Sequence, residues 1–190
     1  VAVGPMAFAD RHKSRARAKA RIASKLLELV PPSGAIGIDA SSTLLRLASA
    51  IGGGRDLSVL TNGWETFRSL PDKAGVTGLV TGGELDARTG SLVGPLACRG
   101  AASLLLTRLF ISAAGVAAGL GPSEPTLQEA EVKRALAAVA GEVVLAVDST
   151  KLGVRSVAMS LEWAQIDVLV TELDPSDSRL DDYRELAGII

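Results

Sequence analysis

Residues 39–43 read D-A-S-S-T and follow the apolar run 35–38, so one carboxylate and three hydroxyls gather where a strand gives way to a helical pattern. Ser and Thr are favoured helix N-caps, and a cap accounts for one of the hydroxyls. The group as a whole, beside the unpaired N–H groups of a helix start, also suits an anion. A charge at an exposed helix terminus gains about 0.3–1 kcal/mol. Asp39, Ser41, Ser42 and Thr43 are therefore candidate ligand contacts.

Other turns carry related chemistry. Asn62 sits in T-N-G at 61–63, Gly83 in T-G-G at 81–83, and Lys151 ends D-S-T-K at 148–151, directly after the apolar run 143–147. The glycine pair reads either as a plain turn or as a place where a ligand comes close to the backbone, and Lys151 either as a surface lysine or as a second phosphate ligand. Glu129 and Lys133 stand four apart, in the order that favours an ion pair on a helix surface. They become chemically useful only if that face looks into a cleft.

Positioning these residues requires alternating elements. Strands are expected at 35–38, 57–60, 76–80, 109–113, 142–147 and 166–170, and helices at 43–51, 63–70, 92–106, 126–139 and 178–186. Strands separated by helices imply right-handed crossovers, hence an α/β, Rossmann-like, doubly wound and mostly parallel sheet with helices on both faces. Ligands of such sheets bind beyond the carboxyl ends of the strands, where all the turns above fall. Ahead of the first strand, 10–30 reads as one helix with Ile22, Leu26, Leu29 and Val30 on a shared face, stopped by P-P-S-G at 31–34. Its basic residues Arg11, Lys13, Arg15, Arg17, Lys19, Arg21 and Lys25 read as a solvated face or an interdomain linker.

The totals exclude several classes. A net charge of −1 gives no global case for nucleic acid or an anionic membrane. Three Phe, two Trp and one Tyr leave the core to Ala, Val, Leu and Ile, as a sheet buried on both faces requires. Cys98 and His12 are the single residues of their types, so disulfides, zinc ligand sets and histidine-dependent nucleophiles have no basis, and neither metal nor cofactor is expected. No apolar stretch reaches the roughly 18–20 residues of a membrane span, and the start lacks a signal peptide's apolar segment, so a cytoplasmic location is expected.

The order of these stretches resembles the C-terminal effector domain of the DeoR family of bacterial transcription regulators. D-A-S-S-T at 39–43, T-N at 61–62, G-G at 82–83, G-x-x-A at 94–97, F-I-S-A-A-G-V at 110–116, E-A-E-V-K-R at 129–134, D-S-T-K at 148–151 and V-T-E at 170–172 follow the family's succession at its approximate spacing. The resemblance covers roughly residues 8–175 and implies a fold like that of sugar-phosphate isomerases and CoA-transferases. It further implies that Ser41, Ser42, Thr43 and Lys151 hold a phosphate, with Asp39, Asn62, Gly83, Glu129 and Lys133 bordering the rest of a phosphorylated sugar or related metabolite.

Three positions depart from the family's pattern: Ser41 stands where Gly is usual, and Thr107 and Ala114 where Asp is common. Related isomerases use acidic residues near the latter position for proton transfer, and alanine exchanges no proton. The resemblance thus implies a sensor of carbohydrate metabolism rather than an enzyme, with an aldose–ketose phosphate isomerase as the alternative reading. Residues 1–30 are expected to be a basic linker and 31–190 the effector domain. The helix-turn-helix that would contact operator DNA is expected to lie outside this chain, and a homo-oligomer to match a palindromic operator.

Overall fold

Strand side chains alternate between the two faces of a sheet, and here both faces are apolar, which commits the central strands to a layer covered on each side. The computed structural model describes residues 7–53, 56–70 and 73–190. In chain order the elements are α1 (Phe8–Lys13), α2 (Ala16–Leu29), β1 (Ser33–Ile38), α3 (Ser42–Ala50), β2 (Asp56–Thr61), α4 (Trp64–Arg68), β3 (Val76–Val80), β4 (Glu84–Asp86), β5 (Ser91–Val93) and α5 (Gly94–Ala101). They continue with β6 (Arg108–Ile111), β7 (Gly115–Ala117), β8 (Gly121–Glu124), α6 (Leu127–Ala137), β9 (Val143–Ala146), β10 (Ala158–Met159), β11 (Val168–Val170) and β12 (Gly188–Ile189).

Among the described residues, seven strands form one sheet in the order β12-β11-β9-β6-β1-β2-β3, and every pairing in it is parallel. Phe110, Val144 and Ala146 point to one face with α2 and α3, while Leu109, Ile111, Val143 and Leu145 point to the other with α5 and α6. A smaller antiparallel sheet, β10-β8-β7, and a β4-β5 hairpin sit apart from the main sheet. The expected α/β doubly wound architecture is therefore the one observed.

The differences are local and have physical causes. The apolar stretch 92–106 is not one helix: β5 ends at Val93, Gly94 turns with φ +85°, and α5 starts with a Pro in its first turn and ends at Ala101. Pro is well placed at a helix start because its missing N–H has no partner there in any case. The expected helix over 10–30 breaks at Ser14 and Arg15, and Arg15 adopts the left-handed φ of 55°. Beyond the break, α2 buries Ile22 and Leu26 completely and Val30 nearly so. At about 1.5–3 kcal/mol per fully buried side chain, that apolar stripe holds α2 onto the sheet. The closing segment is a 3-10 turn at Ser178–Tyr183 rather than an α-helix. Residues 113–121, for which no strand beyond 113 is expected from sequence, contain β7 and the start of β8.

Candidate functional site

The sheet order reverses at β1 and β6: β2 and β3 extend to one side, β9, β11 and β12 to the other. Connections leave such a point in opposite directions and open a crevice at the carboxyl ends of the strands. A cavity of about 320 Å³ lies there, lined by residues that include Asp39, Ser41, Ser42, Thr43, Asn62, Ser112, Glu129, Lys133 and Lys151. The turns singled out in sequence thus converge, with one exception. Gly83 is not in the lining; its φ is +110°, and a Cβ there would stand 2.6 Å from the Val93 carbonyl oxygen and 2.8 Å from Ala97 Cβ. It serves the packing of β5 and α5.

At one end of the cavity α3 begins. Ser41 is its N-cap: Oγ accepts from the Leu44 N–H at 3.1 Å, and the Ser41 N–H donates to Asp39 Oδ1 at 2.9 Å. A helix start leaves its first N–H groups without intrahelical partners, and with Leu44 satisfied, those of Ser42 and Thr43 lie at the cavity. Ser41 has φ −86°, so serine sits there without strain. Opposite, the 3-10 turn Ser149–Lys151 is capped by Asp148, whose Oδ1 accepts from the Thr150 N–H at 3.1 Å. The Lys151 ammonium has no hydrogen-bond or ion-pair partner among the described residues, and its side chain lines the cavity.

The basic run of the N-terminal segment reaches the same place, which the sequence reading did not anticipate. Lys19 is buried, and its Nζ donates to Ser42 Oγ at 3.0 Å and to the Arg11 carbonyl. Burial lowers the Lys19 ammonium to about 8; Asp148 opposes that, and Lys151, Arg11 and Arg46 reinforce it. Arg11 donates to the Thr89 carbonyl at 2.7 Å and Arg15 to Glu172 Oε1 at 3.0 Å. No spacing in the sequence separates Lys19 from its neighbours; only its place on the inner face of α2 does.

The other end of the cavity is a charged cluster. Lys133 Nζ lies 2.7 Å from Glu124 Oε1 and 3.1 Å from Asp39 Oδ2, and it also donates to the Ser112 carbonyl at 2.5 Å. The ammonium is thus hydrogen-bonded to a carbonyl and ion-paired with two carboxylates. The Glu129–Lys133 spacing therefore does not yield a surface pair: Glu129 instead accepts from Ser91 Oγ at 3.1 Å and Thr126 Oγ1 at 3.4 Å. Glu124, which the sequence reading missed, is raised to about 7 by burial, partly offset by Lys133 and assisted by Asp39 and Glu129. Lys133 is lowered by its burial and raised more strongly by Glu124 and Asp39, so it ends above the ordinary lysine range. Both upward shifts fit one cation shared among three carboxylates.

Between the two ends, Asn62 donates from Nδ2 to the Leu92 carbonyl at 3.3 Å, while its buried Oδ1 has no partner among the described residues. Ala114 also lines the cavity, its N–H held by the Ser123 carbonyl at 3.0 Å. Thr107 lies at the opposite end of β6, bonded through its N–H to the Ala35 carbonyl at 2.8 Å, and is not in the lining. Of the two positions lacking an aspartate, only Ala114 belongs to the site.

Comparison with known proteins identifies the fold and the family. The chain is similar to solved structures of ribose 5-phosphate isomerase A from Methanocaldococcus jannaschii (TM-score 0.53, 16% identity, 73% of this chain and 55% of that one). It is also similar to eIF2B beta from Chaetomium thermophilum (TM-score 0.54, 13% identity, 90% and 53%). These likenesses establish the fold. Relatives by sequence include the HTH-type transcriptional regulator GolR of Listeria innocua, 33% identical over 165 residues covering 87% of this chain and 65% of that protein. Another is the glycerol-3-phosphate regulon repressor of Escherichia coli, 25% identical over 166 residues covering 87% and 66%. The chain spans 60–65% of the length of the first curated relatives it matches. The family model described as the DeoR C terminal sensor domain matches residues 14–173. With the strand-end turns gathered into one cleft and most of its length matched, the chain belongs to the DeoR C-terminal sensor domain family.

Proposed function

We propose that this chain is the effector-binding part of a transcription regulator of carbohydrate metabolism, and that its ligand is a phosphorylated sugar or related metabolite. One observation carries the reading: a single cavity combines unpartnered donors with an unpartnered acceptor. The free N–H groups of Ser42 and Thr43 and the unpartnered Lys151 ammonium stand at one end, suited to a dianion. The unpartnered Asn62 Oδ1, between the two ends and in the same lining as Glu129 and Asp39, is suited to hydroxyl donors. Repressors and regulators among the relatives support the same reading.

The mechanism is differential binding. A ligand that fits one arrangement of the regulator better than another shifts the population, and with it the competence of a helix-turn-helix reader elsewhere in the same regulator. Such a reader acts on palindromic operators as a homo-oligomer. For the alternative isomerase reading, Ala114 carries no titratable group and Lys133 is held in ion pairs, so proton transfer would fall to Glu124, whose carboxyl is raised to about 7 in the cavity lining.

Thermal denaturation against a panel of sugar phosphates and their unphosphorylated parents tests the proposal. A matching phosphorylated ligand at 100 times its dissociation constant adds about 2.7 kcal/mol of stability, and the parent sugar adds none. A panel without any stabilising phosphate ester overturns the reading. Conversion of ribose 5-phosphate at about 1 per second or faster replaces it with the isomerase.

A further inference from the structure

A cation bonded to the α3 start comes from outside the strand-end turns. Lys19, on α2, is 6% exposed, lines the cavity, and shares Ser42 Oγ with the helix start itself. Its bonds to Ser42 Oγ and the Arg11 carbonyl use two of three N–H bonds, leaving one for a further acceptor. The charges acting on it are Arg11 from α1, Arg46 from α3, and Lys151 with Asp148 from the turn after β9. Arg11, Arg46 and Lys151 disfavour the Lys19 ammonium and Asp148 favours it, so an anion joining Lys19 Nζ at this buried position would stabilise its charged form.

Of the two helices, α2 is packed against the sheet and α1 is lightly fastened. None of the residues of α1 is buried. Polar contacts hold it: Phe8 N–H to the Arg88 carbonyl at 2.9 Å, Arg11 to the Thr89 carbonyl at 2.7 Å, and Arg46 to the His12 carbonyl at 3.2 Å. Its connection to α2 passes through Arg15, whose left-handed φ of 55° is disfavoured for a residue with a Cβ. Glu172 holds the Arg15 side chain at 3.0 Å. An element with so little apolar burial has a low cost of local opening.

We infer that Lys19 is a direct ligand of the bound oxyanion, so that the α1–α2 segment forms a wall of the effector site and is clamped when the site is filled. The inference rests on the phosphate reading above and adds to it the route by which occupancy reaches the chain ahead of the sheet. Anion binding supplies the missing countercharge to Lys19 and Arg11 together, which ties α1 to α2 across the Arg15 break.

The test uses the whole chain with inorganic phosphate and ribose 5-phosphate as probes. In the unmodified protein, either probe slows acetylation of Lys19 by acetic anhydride and slows tryptic cleavage after Lys13 and Arg15 at least tenfold. Lys19→Met weakens probe binding in calorimetry at least tenfold and makes cleavage after Lys13 independent of the probe, whereas Lys19→Arg retains both. If Lys19→Met does not fold, acetylation of the unmodified protein decides by itself. Probe binding with unchanged Lys19 acetylation and unchanged cleavage overturns the inference alone and leaves the phosphate reading intact. Failure of every phosphorylated compound to bind overturns both.

Discussion

Lys133 Nζ lies 3.1 Å from Asp39 Oδ2, with the Asp39 side chain only 1% exposed, and this contact ties α6 to the end of β1 at the point where the sheet order reverses. The second oxygen's role is shared: Asp39 Oδ2 also accepts from the Ser112 N–H at 2.8 Å, joining the ends of β1 and β6. Replacing Lys133 with Met leaves Asp39 and Glu124 buried without their cation. Removing one partner of a buried pair costs about 3–5 kcal/mol. Urea denaturation of Lys133→Met should show that loss, and adding Glu124→Gln should recover part of it. An unchanged midpoint for Lys133→Met refutes the structural role.

Glu124 gives the chain a specific pH dependence. The folded protein keeps the Glu124 proton up to about pH 7, whereas an unperturbed carboxyl releases it near 4.5. Between those values the folded state binds more protons than the unfolded state, so stability falls as pH rises through this window. The contribution is on the order of 3 kcal/mol across the whole window. Denaturation at pH 5 and pH 8 should show a steeper decline for the natural protein than for Glu124→Gln. Parallel declines would place the titration elsewhere.

Lys151→Ala separates binding from folding. The ammonium makes no hydrogen bond or ion pair with described residues, so stability should change by about 0.5 kcal/mol or less. A hydrogen bond to a charged group is worth about 1.5–3 kcal/mol, so the dissociation constant for a sugar phosphate should rise about tenfold or more. Calorimetry with the two proteins decides, and equal affinities remove Lys151 from the phosphate seat.

Gly83→Ala should do the reverse. The added methyl meets the Val93 carbonyl oxygen at 2.6 Å at a φ of +110°. Strain at such a position is of order 1–3 kcal/mol, and it should appear as a lower melting temperature. Affinity for the ligand should stay unchanged in the folded protein, because Gly83 is not in the cavity lining. A weakened ligand with normal stability would restore the role that the family resemblance implied for this glycine.

Much of this protein is local information. The largely apolar runs that become β1, β2, β3 and β9 are short and bounded by turn residues, a pattern that reports the strands of a parallel sheet. The D-A-S-S-T and D-S-T-K turns were legible for the same reason, since a cap or a phosphate contact needs only neighbours along the chain. The antiparallel strands β7, β8 and β10 were not, because β10 pairs with β8 across more than thirty residues of intervening chain and each strand is only two to four residues long. Glu124 was lost with them.

What the sequence by itself determined is the alternation of strands and helices and the chemistry available at each strand end. Which charges enter the cleft was decided only by tertiary structure. Glu129 and Lys133 share a spacing that predicts a surface pair, yet α6 turns both inward, and Lys133 finds Asp39 and Glu124 from other elements. Lys19 is one of a run of similar basic residues until α2 packs its apolar stripe against the sheet and turns that single ammonium toward Ser42. A helix specifies its apolar face by spacing, but the partners of its charged side chains belong to other segments, and only packing brings them within reach.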